Sequence, residues 1–221
     1  TGFGVAFGPS PATSGSISDN TTTETIANIT GTNVTLAAGG KIGDTTAGAD
    51  IDTSITAVTA TGGGNVVLSE ISGGGDLAIG VSGAGISSSG GEIAVRADAG
   101  TLNVTQNITT TGAGNVDLRA AGTASDININ NGATISSGSG TLQLVAGQSI
   151  LTDSANATST ELQTGGNVLL DAVNAIGTDA KRIEMKDVAT VAARITGAAT
   201  SGDIYLRQLT GTNNNNLEIG S

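Results

Sequence analysis

The sequence predicts an all-β fold, a parallel β-helix (β-solenoid) built from coils of about 25 residues with three short strands each. Three observations predict it. Short apolar runs with a period of two, which is the strand period, recur along nearly the whole chain. They recur at near-constant spacing, and glycine, asparagine or serine bounds each run.

The repeating unit is a Gly-rich turn followed by a small polar residue and then by an apolar, a variable and an apolar residue. A strand this short cannot bury its apolar face alone. Stacked about 4.8 Å from a neighbour, it gains a ladder of backbone hydrogen bonds and a shared core. The units lie at residues 33–36, 65–68, 76–79, 92–95, 101–104, 115–118, 126–129, 141–144, 167–170, 203–206 and 216–219.

The spacing of these units has a second level, which predicts how the coil is divided. One row of apolar residues is spaced by 27, 23, 26 and 26 residues, at Val66, Ile93, Val116, Leu142 and Val168. A second row lies at Leu77, Leu102, Ile127 and Ile150, and a third at Ile86, Ile108, Ile135 and Leu162. Three rows per repeat predict a roughly triangular coil. Propellers and immunoglobulin-like sandwiches would need longer repeats or aromatic residues that this chain lacks.

Two longer self-matches indicate duplication. Residues 59–68 match residues 109–118, and residues 30–45 match residues 164–179 nearly in register. The second match predicts a super-repeat of about 134 residues.

Composition excludes several other classes. The chain has 35 Gly but 2 Pro, so it is not collagen-like, and an apolar fraction of 37% gathered in short runs argues against disorder. The aromatic residues are Phe3, Phe7 and Tyr205. A thin solenoid fills its core with small branched side chains, so this bias favours the solenoid over a compact globule.

Charge and residue usage bound the partners. The net charge of −11 argues against nucleic-acid binding, and no apolar run approaches the roughly 20 residues of a membrane helix. The absence of His and Cys removes disulfides, thiolate zinc sites and the commonest general base. A surface rich in Thr, Ser and Asn suits an extracellular location. Because the chain begins at Thr1, we expect it to be processed or to be part of a longer protein.

One segment departs from the pattern. Residues 178–196 contain no Gly, and five of the eight basic residues lie between Lys181 and Arg207. Residues 179–186 have the composition of a helix start, but the apolar positions from Ile183 to Ile195 alternate. Alternation favours strand, and the basic residues then form a solvated face or a patch for a partner.

These features resemble the filamentous-haemagglutinin-like repeats of giant bacterial surface proteins. The shared motifs are Gly-Asn-Val-x-Leu strands, a Leu-x-Ala-Gly-Gly-x-Ile turn at residues 36–42, Ala-Ile-Gly-Thr at 175–178 and Gly-Asp-Ile-Tyr-Leu at 202–206. The resemblance covers about residues 30–220. It implies a right-handed parallel β-helix, export across the envelope, and a role in adhesion or surface structure.

Candidate metal ligands precede the strands. The Asn and Asp residues there are expected to stack as a ladder that caps the turns, at Asn33, Asn65, Asp76, Asn115, Asp126, Asn167 and Asp203. Calcium is the alternative interpretation, because it takes oxygen ligands from adjacent turns, with Asp50, Asp52, Asp76 and Asp126 as the candidates. Asp50 and Asp52 also form a carboxylate pair of the type used in glycoside hydrolysis. With 19 acidic residues such pairs arise by chance, so no catalytic residue and no required cofactor is assigned.

The two ends are the predicted assembly sites. Residues 1–12 form an N-terminal strand and Pro-containing linker, and residues 13–221 form the repeat array, which possesses no polar cap at its C-terminal end. The N-terminal strand either caps its own chain or adds to a neighbouring copy. The predicted self-assembly residues are Phe3, Val5, Phe7, Leu217 and Ile219.

The expected function follows from these features. We expect a structural, non-enzymatic protein of an extracellular filament, sheath or surface layer, with copies of itself as end-to-end partners. One alternative is an adhesin stalk or binding module for surface glycans or host protein. The other is a β-helical polysaccharide lyase or hydrolase, which residues 59–170 support poorly because Arg96 and Arg119 are the only bases there.

Overall fold

The computed structural model describes residues 15–19, 23–71, 73, 75–81, 83–155, 159–197 and 202–209, and the backbone of residues 218–219. These residues form twenty β-strands and no helix. Every pairing between the strands is parallel, and the chain winds through about seven turns spaced by about 24 residues. The predicted β-solenoid is therefore confirmed.

The first two strands are the longest of the described strands. They are β1 (Ile29–Ala38) and β2 (Ile51–Gly62), which pair with each other along their length. The later coils are divided into three faces. Face A contains β3 (Val66–Glu70), β6 (Ile93–Ala97), β9 (Val116–Ala120), β12 (Leu142–Ala146), β15 (Asn167–Ala172), β18 (Thr190–Ile195) and β20 (Glu218–Ile219).

The other two faces carry shorter strands. Face B contains β4 (Leu77–Ile79), β7 (Leu102–Val104), β10 (Ile127–Ile129), β13 (Ser149–Thr152) and β16 (Ala175–Ile176). Face C contains β5 (Ile86–Ser88), β8 (Ile108–Thr110), β11 (Ile135–Ser136), β14 (Leu162–Gln163), β17 (Ile183–Lys186) and β19 (Leu206–Leu209). Strand β2 joins all three faces, because successive parts of it pair with β3, β4 and β5.

The three predicted apolar rows are the three faces. On face A, Val66 pairs with Ile93, which in turn pairs with Val116. The rows that begin at Leu77 and at Ile86 run in the same way through faces B and C. Each row is fully buried because alternate side chains of a strand point inward. Every coil also places the same type of side chain at the equivalent position of each face. Stacking of branched aliphatic side chains therefore forms one continuous core along the solenoid.

The segment without glycine is also strand. Residues 183–186 form β17 on face C, and residues 190–195 form β18 on face A. Ile183, Met185 and Val191 are buried in the core. The alternation of apolar residues therefore decided the structure over the helix-like composition of residues 179–186.

The prediction of a super-repeat of about 134 residues is wrong, because the two matching segments lie at different places in their coils. Val34 pairs with Val58 in the row that continues on face B, whereas its sequence counterpart Val168 pairs with Leu142 on face A. The two matching segments share a local corner instead. In each, a buried Ile precedes a glycine of positive φ, +67° at Gly43 and +66° at Gly177, and a loop then inserts before the next strand. The same corner is used on two different faces.

Close approach between coils explains another group of glycines. A Cβ on Gly114 would lie 2.3 Å from the carbonyl oxygen of Gly91, one coil earlier. A Cβ on Gly140 would lie 2.0 Å from the carbonyl oxygen of Gly114. These residues stack at the corner between faces C and A, where only a residue without a side chain fits. Gly43 and Gly177 differ from this stack, because they serve turns with positive φ.

Candidate functional site

Four of the seven Asn and Asp residues expected to cap the turns form a capping ladder: Asn65, Asp76, Asn115 and Asp126. Of the other three, Asn33 and Asn167 lie within β1 and β15, and Asp203 accepts from the hydroxyl of Tyr205. The Oδ1 atom of Asn65 accepts a hydrogen bond of 3.0 Å from the backbone amide of Glu92, its counterpart one coil later. The same bond recurs from Thr101 to Asp76 (2.8 Å), from Thr141 to Asn115 (2.9 Å) and from Ser149 to Asp126 (2.8 Å). Each side chain therefore satisfies a turn amide that the strand ladder leaves unpaired.

Two of the four calcium candidates, Asp76 and Asp126, belong to this ladder, and the other two do not. Asp76 and Asp126 each use one carboxylate oxygen on a backbone amide. Asp50 is half-buried and lies outside the one group of three acidic side chains that the described residues bring within metal-binding distance. Asp52 belongs to that group, which brings together residues distant in sequence.

The acidic cluster consists of Asp19, Glu24 and Asp52. One carboxylate oxygen from each residue lies within 4.8 Å of one from each of the others. Asp52 lies in β2 and is 1% exposed, Asp19 is half-buried, and Glu24 is exposed. Nothing in the spacing of Asp19 and Glu24 indicates this site. It forms only where the described residues before β1 (15–19 and 23–28, here called the segment before β1) lie against the outer side of face A.

Asn28 holds this segment in place. Its backbone amide donates to the carbonyl oxygen of Asp52 (2.8 Å), and its Oδ1 accepts from the amide of Asp52 (2.7 Å). Its Nδ2 also donates to Oδ1 of Asp19 (3.2 Å). Asn28 thus extends the hydrogen-bond pattern of the solenoid by one more residue and positions Asp19 beside Asp52.

The environment of the Asp52 carboxylate is unfavourable to its charge. Both oxygens are buried, and neither has a hydrogen-bond partner. Burial first, and then the negative charges of Glu24, Asp50, Asp19 and Asp98, together raise the pKa of Asp52 to about 6. A carboxylate that is buried without donors and surrounded by other acids needs either a proton or a positive partner.

Two other buried carboxylates, those of Glu70 and Glu161, do have donors for their oxygens. Oε1 of Glu70 accepts from the amide of Ile55 (2.8 Å), and its second oxygen accepts from the hydroxyl of Thr53. Glu161 accepts from the amide of Glu184 (2.8 Å) and from the hydroxyl of Ser159 (2.6 Å). These glutamates connect neighbouring coils, so their role is structural, and Asp52 differs from them.

The outer side of face A carries charged side chains and a groove. Arg96 and Arg119 are register partners on adjacent strands, and each forms an ion pair with an acid near it in sequence, Asp98 and Asp117 respectively. Further along the same face lies a shallow groove of about 430 Å³. We call it the face A groove; its outward lining residues are Gln143, Val145, Leu169, Asp171, Ala192 and Arg194.

Leu169 is the apolar centre of this groove. Its side chain is 38% exposed, at a position where the preceding two strands carry Gln143 and Asp117. The sequence contained this signal, because residues 167–170 have an apolar residue at the variable position of the repeat.

The predicted assembly residues fall almost wholly outside the described residues. Phe3, Val5, Phe7 and Leu217 lie in segments that the structure does not describe. Ile219 lies in β20, where its backbone pairs with that of Val191. Among the described strands, β1 pairs on one side only, with β2.

Comparison with known proteins adds no relative: no protein-family model, no curated protein and no solved structure matches the chain. The fold defines the class, which is a parallel β-solenoid repeat protein. The part of the chain described by the structure includes no helix with the length and apolar character needed to cross a membrane.

Proposed function

We propose that this chain is a structural repeat protein of an extracellular filament, sheath or surface layer, of the filamentous-haemagglutinin-like type, and that it assembles end to end. The observation that supports this most directly is the continuity of the three parallel faces. They run from coil to coil over one uninterrupted core, so a further coil from another copy can add at either end in the same geometry.

The first strand supplies the edge for this contact. β1 is ten residues long, and among the described strands only β2 pairs with it. An unpaired strand edge is a template for another strand. A head-to-tail contact between different surfaces does not close on itself, so it produces linear fibres.

The outward sides of the solenoid faces favour growth at the ends over contact between solenoids side by side. The outward residues of faces B and C include Asn103, Asn128, Thr109 and Ser136, which bond to each other from coil to coil. The net charge of −11 adds repulsion between solenoids that lie side by side. Lateral contact is therefore less favourable than stacking at the ends.

The test is the shape of the particles that the full chain forms. We expect electron micrographs to show linear particles one solenoid wide, with a length that increases with protein concentration. Deletion of residues 1–8, which removes the proposed donor strand with Phe3, Val5 and Phe7, should shorten them.

The matched control is Leu169→Lys, which adds a charge to the flank and leaves both ends unchanged. Particles of unchanged length in this variant support end-to-end assembly. Monomers at every concentration in the parent chain, or filaments lost in Leu169→Lys but retained after the deletion, would reject the proposal.

One observation favours the alternative of a binding module for glycans or host protein. The face A groove combines an exposed apolar side chain, Leu169, with the charged side chains of Asp171 and Arg194. Binding of the parent chain to an immobilised glycan panel, lost in Leu169→Lys, would support this function. The lyase or hydrolase alternative has less support, because Arg96 and Arg119 are each paired with an acid.

A further inference from the structure

We propose that the acidic cluster of Asp19, Glu24 and Asp52 is a binding site for a hard divalent cation, with calcium as the preferred ion. The site joins the segment before β1 to the outer side of face A. It stands independently of end-to-end assembly, because it is argued from the ligands alone.

The donor set fits calcium. Three carboxylates offer up to six oxygens, and calcium takes six to eight oxygen ligands at about 2.4 Å in flexible geometry. One carboxylate oxygen from each residue lies within 4.8 Å of one from each of the others, which is close enough for all three to bind one calcium ion. Magnesium demands near-ideal octahedral geometry and keeps more of its water, so a set of three protein carboxylates suits calcium better. The chain has no His and no Cys, so zinc and copper lack their usual ligands.

Asp52 is the residue that points to a ligand. It is 1% exposed, and both of its oxygens lack a hydrogen-bond donor. Arg96, two strands away in the same register row, pairs with Asp98 instead. A bound cation would neutralise the buried charge of Asp52 and the repulsion from Asp19 and Glu24 together.

Occupation of the site has a structural consequence. Asp19 and Glu24 come from the segment that Asn28 attaches to β2, whereas Asp52 comes from β2 itself. A cation held by all three residues therefore ties Asp19 and Glu24 directly to β2. Calcium should therefore stabilise the N-terminal end of the described array, where β1 presents its edge.

The experiment is a calorimetric titration of the chelator-treated full chain with calcium chloride, together with its melting temperature in calcium and in chelator. We expect one site with a dissociation constant of about 10⁻⁴–10⁻³ M, the range of extracellular calcium modules. The melting temperature should rise in calcium, because the ion binds the folded chain only. Asp52→Asn should weaken binding by at least about tenfold and abolish the rise.

Two further variants keep the test decisive. Asp76→Asn is the matched control, because its Oδ1 still accepts the amide of Thr101 and the site is untouched. Glu24→Gln changes an exposed ligand that the fold does not need, and it should also weaken calcium binding. In chelator, Asp52→Asn should melt no lower than the parent, because it removes a buried charge.

Three results would overturn the proposal. They are a parent chain that does not respond to calcium, a full response retained in both Asp52→Asn and Glu24→Gln, and an equal loss in Asp76→Asn. An equal response to magnesium chloride would overturn the preference for calcium.

Discussion

The hydroxyl of buried Ser137 donates a hydrogen bond of 2.7 Å to the carbonyl oxygen of Gly114, one coil earlier. The same hydroxyl accepts one of 2.9 Å from the amide of Gly140. Equivalent bonds run from Ser88 to Gly64 (2.8 Å), from Thr110 to Gly91 (2.6 Å) and from Thr164 to Gly140 (2.6 Å). A buried row of hydroxyls therefore supplies hydrogen-bond partners to the backbone groups of the glycines at the corner between faces C and A.

Ser137→Ala should remove this support at one corner. The carbonyl of Gly114 and the amide of Gly140 would each lose a buried hydrogen bond, so the free energy of unfolding should fall by about 1–3 kcal/mol. Urea denaturation followed by circular dichroism measures the change. Ser139→Ala, at an exposed position two residues later, should stay within about 0.5 kcal/mol. Equal effects for the two variants would mean that the hydroxyl row does not contribute to stability.

Gly114→Ala should destabilise the chain through a direct clash. The new Cβ would lie 2.3 Å from a backbone carbonyl oxygen, which cannot move without shifting a whole coil. We expect a loss of about 3 kcal/mol, at the upper end of what overpacking costs. Gly73→Ala is the control, because a Cβ there meets no atom within 4 Å. Thermal unfolding of both variants tests the stack, and a small effect at Gly114 would show that the coils can separate locally.

Val116→Asp should be severe and Asn103→Asp mild. Val116 is fully buried in the face A row, so a charge there has no partner and costs several kcal/mol. Asn103 lies on the outer side of face B, where its Oδ1 accepts from Nδ2 of Asn128 (3.2 Å), and an aspartate keeps that acceptor. Expression yield and melting temperature should separate the two. Comparable mild effects would contradict the assignment of the inward residues.

The contribution of Glu70 to the stability of the chain should fall as pH rises through the weakly acidic range, as should that of Asp52, whose pKa is also raised. Burial raises the pKa of Glu70, and the hydrogen bonds from Thr53 and Ile55 oppose this only in part. The folded chain then holds its proton more tightly than the unfolded chain does. This stabilisation is fully present below about pH 4.5, which is the ordinary pKa of a glutamate. It is lost as the pH rises through the pKa of Glu70 in the folded chain. Denaturation across this range in chelator should show the fall, and Glu70→Gln should flatten it. A pH dependence as steep in Glu70→Gln as in the parent would contradict the effect of Glu70.

The rows of the core could be predicted because solenoid geometry repeats. A buried position in one coil implies a buried position about 24 residues later, so Val66, Ile93 and Val116 identify one another. The capping role of Asn65 and Asp76 was predictable for the same reason. The prediction of a super-repeat was wrong because local sequence similarity indicates the type of corner but not the face on which the corner lies.

The sequence by itself determined the fold class, the three rows of the coil and the residues that cap its turns, because each of these depends on residues that recur at short, regular distances. Only the tertiary structure decided which carboxylates meet. Asp19 and Glu24 approach Asp52 because the segment before β1 folds over face A, and Asn28 holds it there through contacts that follow no repeat. The tertiary structure also decided that Asp52 lacks a donor while Glu70 has two, since that depends on which backbone amide and hydroxyl groups happen to face each buried side chain.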